Sequence, residues 1–170
     1  MSVMKLLTSG VATLRDFLEI SGSIGPPGSF QAVRAPYVDR LSTPVIDTII
    51  EYGEKMPDDP ACMINLHTCH GRGAQPDIRA CFGKRGFHMI VEIIGATEKE
   101  SNREAAHAWA AKTDIVLKQK GVVLDGGYVN LMGVNDSVNG CFGSGWDSLL
   151  ELKRKLDKNN VFAYAVPSLE

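Results

Sequence analysis

From Phe30 onward the hydrophobic period of this chain switches in one order: strand, helix, strand, strand, helix, strand. A period of two lays apolar residues on one face of a strand, and a period near 3.6 lays them along one stripe of a helix. That order restricts how the segments can share a core. Phe30 to Ala35 reads as a short strand. Ser42-Thr43-Pro44 starts a helix, with proline in the first turn, where its missing N–H is not needed. The helix carries Val45, Ile46, Ile49 and Ile50 and stops before Pro57-Asp58-Asp59-Pro60. Ala61 to His70 reads as a strand, broken by Gly71-Arg72-Gly73. Phe87 to Ile94 is a second strand, rich in Ile and Val. Ser101-Asn102-Arg103-Glu104 has the form of a capping box. It opens a long helix through Ala106, Trp109, Ile115 and Leu117, expected to end at Gly121. Val122 to Val129 is the last expected strand, and Leu149 to Leu156 a C-terminal helix.

The order predicts an α+β fold: a ferredoxin-like βαββαβ antiparallel sheet with its two helices on one face. An N-terminal and a C-terminal helix are added. Leu7, Val11, Leu14 and Leu18 stand at helical spacing between Val3 and Ile20, and Ser21 to Gly28 has linker composition. The expected division is therefore 1–28, a helix and linker, and 29–170, one compact domain.

Charge and composition exclude some partners. A net charge of -2 argues against a nucleic-acid or anionic-membrane surface, which would favour a basic face. No apolar run is long enough to span a bilayer. Met1-Ser2-Val3-Met4-Lys5 lacks the layout of a leader, which predicts a cytoplasmic location. Cys62, Cys69, Cys81 and Cys141 form no C-x-x-C pair and match no common zinc spacing. They read as small buried residues, and no metal is expected.

With both helices on one face, the other sheet face is open. Alternation assigns Cys62, Ile64 and Leu66 to the helices and Met63, Asn65, His67 and Cys69 to the open face. In the next strand Phe87, Met89, Val91 and Ile93 face the helices, and His88, Ile90 and Glu92 face out. Tyr128 and Asn130 are expected to join them from the last strand, with Gln31 or Arg34 from the first. Two imidazoles, a carboxylate and a phenol can do general acid–base work or orient a ligand's oxygens. A solvated sheet face is the plain alternative, although such faces usually carry Thr, Lys and Glu. The candidate catalytic set is His67, His88, Glu92 and Tyr128. The candidate substrate-binding set is Asn65, Asn130, Met63, Ile90, Cys69 and Trp146.

Other motifs read more simply. His67 and His70 lie on opposite faces of one strand and cannot share an ion without a bulge. Gly71-Arg72-Gly73-Ala74 lacks the Walker pattern and a following helix, and reads as a turn. Lys84-Arg85, with Arg72 and Arg79, could bind an anionic group, but reads first as a solvated loop. Gly133 to Gly145 is long for a structureless connection, carries Asn135, Asp136 and Asn139, and could close over the open face.

Gly127-Tyr128-Val129-Asn130, then Phe142-Gly143, then Trp146 to Phe162 form the most specific stretch. It resembles the C-terminal signature of berberine-bridge-enzyme-like FAD-linked oxidases: Y-x-N, an aromatic-Gly element, and R-L-x-x-[LV]-K-x-x-x-D-P-x-N-x-F. Here Ser148-Leu149 stands for Arg-Leu and Asp157-Lys158 for Asp-Pro. The likeness runs from about Arg34 to Leu169. It implies the substrate domain of that family, an antiparallel sheet whose open face roofs the flavin and the substrate. It also places Tyr128 and Asn130 beside the flavin ring. With the chain starting at Met1, the expectation is a substrate half standing alone, with no cofactor and with FAD as the alternative.

The function expected on this basis is a cofactor-independent cyclase or isomerase of natural-product biosynthesis, Diels–Alder type by analogy with that family. It would take a small polyene or polyketide-like substrate, fixed in a reactive conformer. The alternatives are an FAD-linked oxidoreductase fragment or split subunit, and a non-catalytic binding protein. The open face predicts a homodimer.

Overall fold

The computed structural model describes residues 13–15, 28–59, 61–77, 83–132 and 138–163. Leu14 and Arg15 are helical. The rest of the expected N-terminal helix and its linker, except Thr13 and Gly28, lies outside the described residues, as do Arg79, Cys81, Asn135 and Asp136.

A five-stranded antiparallel sheet forms the centre. Its strands are β1 (Phe30–Arg34), β2 (Tyr37–Val38), β3 (Met63–Cys69), β4 (His88–Thr97) and β5 (Val123–Leu124). β4 is the hub, with β3 on one side and β1 and β2 on the other; β5 pairs β2. The register explains why β1 and β2 are two pieces. Arg34 pairs Ile93 and Tyr37 pairs Ile90, so no residue is inserted between them. Pro36 has no N–H for the ladder, but its carbonyl still accepts from Val91 N at 3.0 Å. One strand is interrupted without losing its alternation. Counted so, the sheet has the order expected of a ferredoxin-like split βαβ fold.

α1 (Thr43–Glu54) and α2 (Glu100–Gln119) pack on the odd-numbered face of β4. α1 starts as expected, with Ser42 as N-cap and proline in the first turn. Its buried face is Val45, Thr48 and Tyr52, while Ile46 and Ile50 stay exposed. The capping box does not form. α2 already begins at Glu100, and Ser101 sits inside it. Thr97 supplies the start signal instead, its Oγ1 accepting from Lys99 N at 3.0 Å. α2 ends at Gln119, and Gly121 takes a φ of 67° just beyond it.

Val38, Val45, Tyr52, Met89, Val91, Ile93, Ala106, Trp109, Ala110 and Leu117 share the core. Trp109 Nε1 donates to the Tyr52 carbonyl at 2.8 Å, tying the two helices together and satisfying a buried indole. α2 lies unusually close to β4 at Gly95. A Cβ there would fall inside the Ala106 carbonyl and 3.0 Å from Ala110 Cβ.

The C-terminal part differs most from expectation. β5 covers only Val123–Leu124, so Tyr128 and Asn130 lie beyond the strand, at and within a 3-10 turn (Val129–Leu131). α3 (Val138–Phe142) occupies part of the expected long loop, and α4 (Trp146–Leu156) starts three residues early. Gly126 and Gly140 approach so closely that a Cβ on either would meet the other's backbone. Gly83 N donates to the Cys141 carbonyl at 3.1 Å, and Cys141 Sγ accepts from Gly127 N at 3.2 Å. The signature stretch thus holds loops together.

The end of that stretch has a structural explanation. Asp157 follows α4; it pairs with Lys153 and accepts from Val161 N at 2.7 Å and Phe162 N at 3.1 Å. Asn160 supplies the left-handed φ of 48° that the reversal requires. Lys-x-x-x-Asp-x-x-Asn-x-Phe is therefore a helix stop. Asp157→Ala is expected to speed amide hydrogen exchange at Val161 and Phe162 while leaving β4 amides unchanged.

Candidate functional site

β3 and β4 pair so that Asn65 stands opposite Glu92, His67 opposite Ile90, and Cys69 opposite His88. Opposed residues share a face, so the polar set collects on the side away from the helices. Glu92 Oε2 accepts from Asn65 Nδ2 at 2.9 Å and bonds His67 Nε2 at 3.1 Å. The Glu92 side chain is 17% exposed and that of His67 is 55% exposed. A carboxylate pinned by an amide thus orients a reachable imidazole. With the Nε2 proton donated to Glu92, the Nδ1 lone pair of His67 is left to take a proton.

Beside this group lies a cleft of about 290 Å³, lined by Tyr37, His67, Thr68, Cys69, His70, Gly73, His88, Ile90 and Tyr128. His67, Cys69, His88, Ile90 and Tyr128 were all expected on the face, and the cleft brings them together. Glu92 and Asn65 stand behind His67 rather than in the lining. Three expected contacts do not form part of it. Met63 pairs with Ile94 two steps further along the strand, beyond Asn65. Asn130 is absent from the lining, and its Nδ2 donates to Tyr128 Oη at 3.2 Å. Trp146 stacks on Phe142 at 6.1 Å between ring centroids. Arg34 also drops out, because its register partner Ile93 faces the helices, whereas Gln31 shares the open face.

His88 corrects the picture of a solvated sheet. It is buried, with 1% of its surface exposed. Its ring lies 4.7 Å from that of Tyr37, and Nδ1 donates to the Gly86 carbonyl at 3.0 Å. Burial, with Lys84 nearby, holds its pKa below the ordinary imidazole value, against the pull of the Gly86 carbonyl. The folded state therefore takes up a proton on His88 less readily than the unfolded chain, whose imidazole protonates near 6.5. As pH falls through that value the unfolded state binds the extra proton, so stability falls. His88→Asn keeps a donor for Gly86 and removes the titration. Urea unfolding at pH 7.5 and pH 5.5 is expected to show a smaller loss of stability in the variant than in the wild type.

Tyr37 is the residue that alternation alone missed. It is fully buried on the open face, between Ile90 and Leu124. Burial pushes its phenol pKa far up, with smaller contributions from Cys141, Tyr128 and Cys69, so it remains a donor at any working pH. The signal that could have found it was the unbroken count of residues across Pro36.

None of the cleft lining belongs to the first turn of an α-helix, where backbone N–H groups cradle a pyrophosphate. The cleft volume also sits at the lower bound for a drug-sized ligand, roughly 300 Å³. It suits a small molecule or one end of a larger one. Among the described residues no helix is long and apolar enough to cross a membrane.

No protein-family model matches the chain. Over 145 residues, 85% of its length, it is 28% identical to the FAD-linked oxidoreductase aurO of Gibberella zeae. The match spans 28% of that protein's length. The chain is thus similar to a portion of an FAD-linked oxidoreductase.

Proposed function

We propose that this chain binds a small oxygenated organic molecule in the cleft and moves a proton on it. His67 is the base, Glu92 orients it, and Asn65 fixes Glu92. The observation that carries the reading is the shared Glu92 Oε2, bonded to Asn65 and His67 at the edge of the cleft. Ile90 floors the cleft as an apolar surface, and Tyr128 closes one side as a donor. In this reading the substrate is held in one conformer by the sheet and loses or shifts a proton at His67 Nδ1.

Similarity to a portion of an FAD-linked oxidoreductase supports an enzymatic setting for the cleft. Any redox step would draw on FAD held by residues other than those lining the cleft. A second reading is a cofactor-independent cyclase or isomerase, supported by a cleft whose lining includes no α-helix first turn to cradle a pyrophosphate.

One experiment separates them. The purified chain is incubated with a panel of phenolic and polyketide-type compounds, with and without added FAD, and products are followed by mass. A product of unchanged mass, formed without FAD, supports the cyclase or isomerase. Loss of two hydrogens, only with FAD, supports the oxidoreductase part. Failure of every panel compound to bind, by thermal shift, removes the cleft as a substrate site.

A further inference from the structure

Two polar atoms in the cleft wall have no hydrogen-bond partner among the described residues: Tyr37 Oη and His88 Nε2. Their side chains are in contact, with ring centroids 4.7 Å apart. Both are buried almost completely, at 0% and 1% exposure. Leaving a buried polar group unpaired is costly, so each such group calls for an explanation, and a functional role is one of the recognised ones.

The two atoms are not equivalent. His88 Nδ1 gives its hydrogen to the Gly86 carbonyl, so Nε2 carries a lone pair and is an acceptor. The Tyr37 phenol keeps its hydrogen and is a donor. One chemical group satisfies an acceptor and a donor together: a hydroxyl, which gives its hydrogen to Nε2 and takes one from Oη.

We propose that Tyr37 and His88 form a subsite for a ligand hydroxyl, phenolic or enolic, with Gly86 as the positioning residue that fixes the His88 tautomer. This rests on the proposed use of the cleft and names the substrate feature the cleft selects. Neither atom is reached by solvent in the free protein, so the hydroxyl engages them after a shift of lining side chains such as the exposed ring of Tyr128. His67 is left free to act elsewhere on the same molecule.

The first test needs no substrate. Tyr37→Phe removes an unpaired buried hydroxyl and is expected to hold or raise the unfolding midpoint. A clear fall would mean that the hydroxyl is satisfied within the protein, and would overturn the proposal. The second test uses phenol and toluene as probes, with binding read by NMR titration of the full chain. The wild type is expected to prefer phenol by about tenfold or more, the range set by one satisfied buried pair. Tyr37→Phe and His88→Asn are each expected to lose most of that preference. Equal affinity for both probes in the wild type, or an unchanged preference in both variants, overturns it. The nitrogen chemical shifts of His88 at pH 8 give a third readout: Nδ1 protonated supports the assignment, and Nε2 protonated refutes it. His67→Ala is expected to keep the phenol preference while losing turnover, so failure of the subsite and failure of the proton-transfer reading are distinguishable.

Discussion

His67→Ala is expected to lower turnover by about a hundred- to ten-thousand-fold, the usual contribution of a positioned general base. The fold is expected to survive, because the side chain is 55% exposed and, among the described residues, bonds Glu92 across the strand pair. Thermal unfolding of the variant should match the wild type within the error of the measurement. Glu92→Gln is expected to lie between the two. It keeps the shape and an oxygen for Asn65 or His67, but loses the charge that stabilises a protonated imidazole. If both variants keep turnover within about twofold of wild type, far inside that range, His67 is not the base. The search would then move to Tyr128 and the Gly71–Ala74 turn. The comparison is sharper than for His88, whose replacement also disturbs buried packing.

Gly95→Val is expected to have the largest effect on stability of any single change considered. The close approach of α2 leaves no room for a Cβ at this position, and the obstacle is the Ala106 backbone carbonyl rather than the end of a flexible chain. Relief requires α2 to move off the sheet, which would loosen Ala106, Ala110 and Trp109 together. Overpacking typically costs about 1–3 kcal/mol and more when backbone must shift, so a loss at or beyond the top of that range is expected. Gly53→Ala provides the control. Gly53 lies in the last turn of α1 with nothing within 4 Å of a built Cβ. Alanine there is expected to stabilise by about 0.5–1 kcal/mol through helix propensity alone. Urea unfolding of both variants checks the pair, and equal effects would mean that the α2–β4 contact is not tight.

Much of the fold follows from local pattern. The order of periods from Phe30 gives the strand and helix sequence, because alternation and the 3.6 period are properties of the backbone that tertiary contacts rarely reverse. Pro44 and Gly121 mark helix ends for reasons fixed within a few residues. For the same reason the faces of β3 and β4 were legible: Asn65, His67, Cys69, His88, Ile90 and Glu92 all lie where alternation puts them. The helix stop at Asp157–Phe162 was visible as a motif, but its purpose was not, since a side chain capping later amides depends on how the chain turns back.

What local pattern could not decide was set by closeness in space. Tyr37 belongs to the site because β1 and β2 keep one register across Pro36, a count that exists only once β4 is the partner. His88 is buried rather than solvated because the Tyr37 ring lies against it and Gly86 holds its nitrogen. Trp146 and Met63 leave the site because stacking and distance along the sheet place them elsewhere. Tyr128 enters it from beyond a short strand, through a loop seated by the Gly126–Gly140 approach. The sequence alone therefore determined which residue types line each face of the sheet, since side-chain direction alternates with the backbone. Only the tertiary structure decided which of them meet in one cleft, because pairing register and loop packing join residues far apart along the chain, and no local preference encodes that distance.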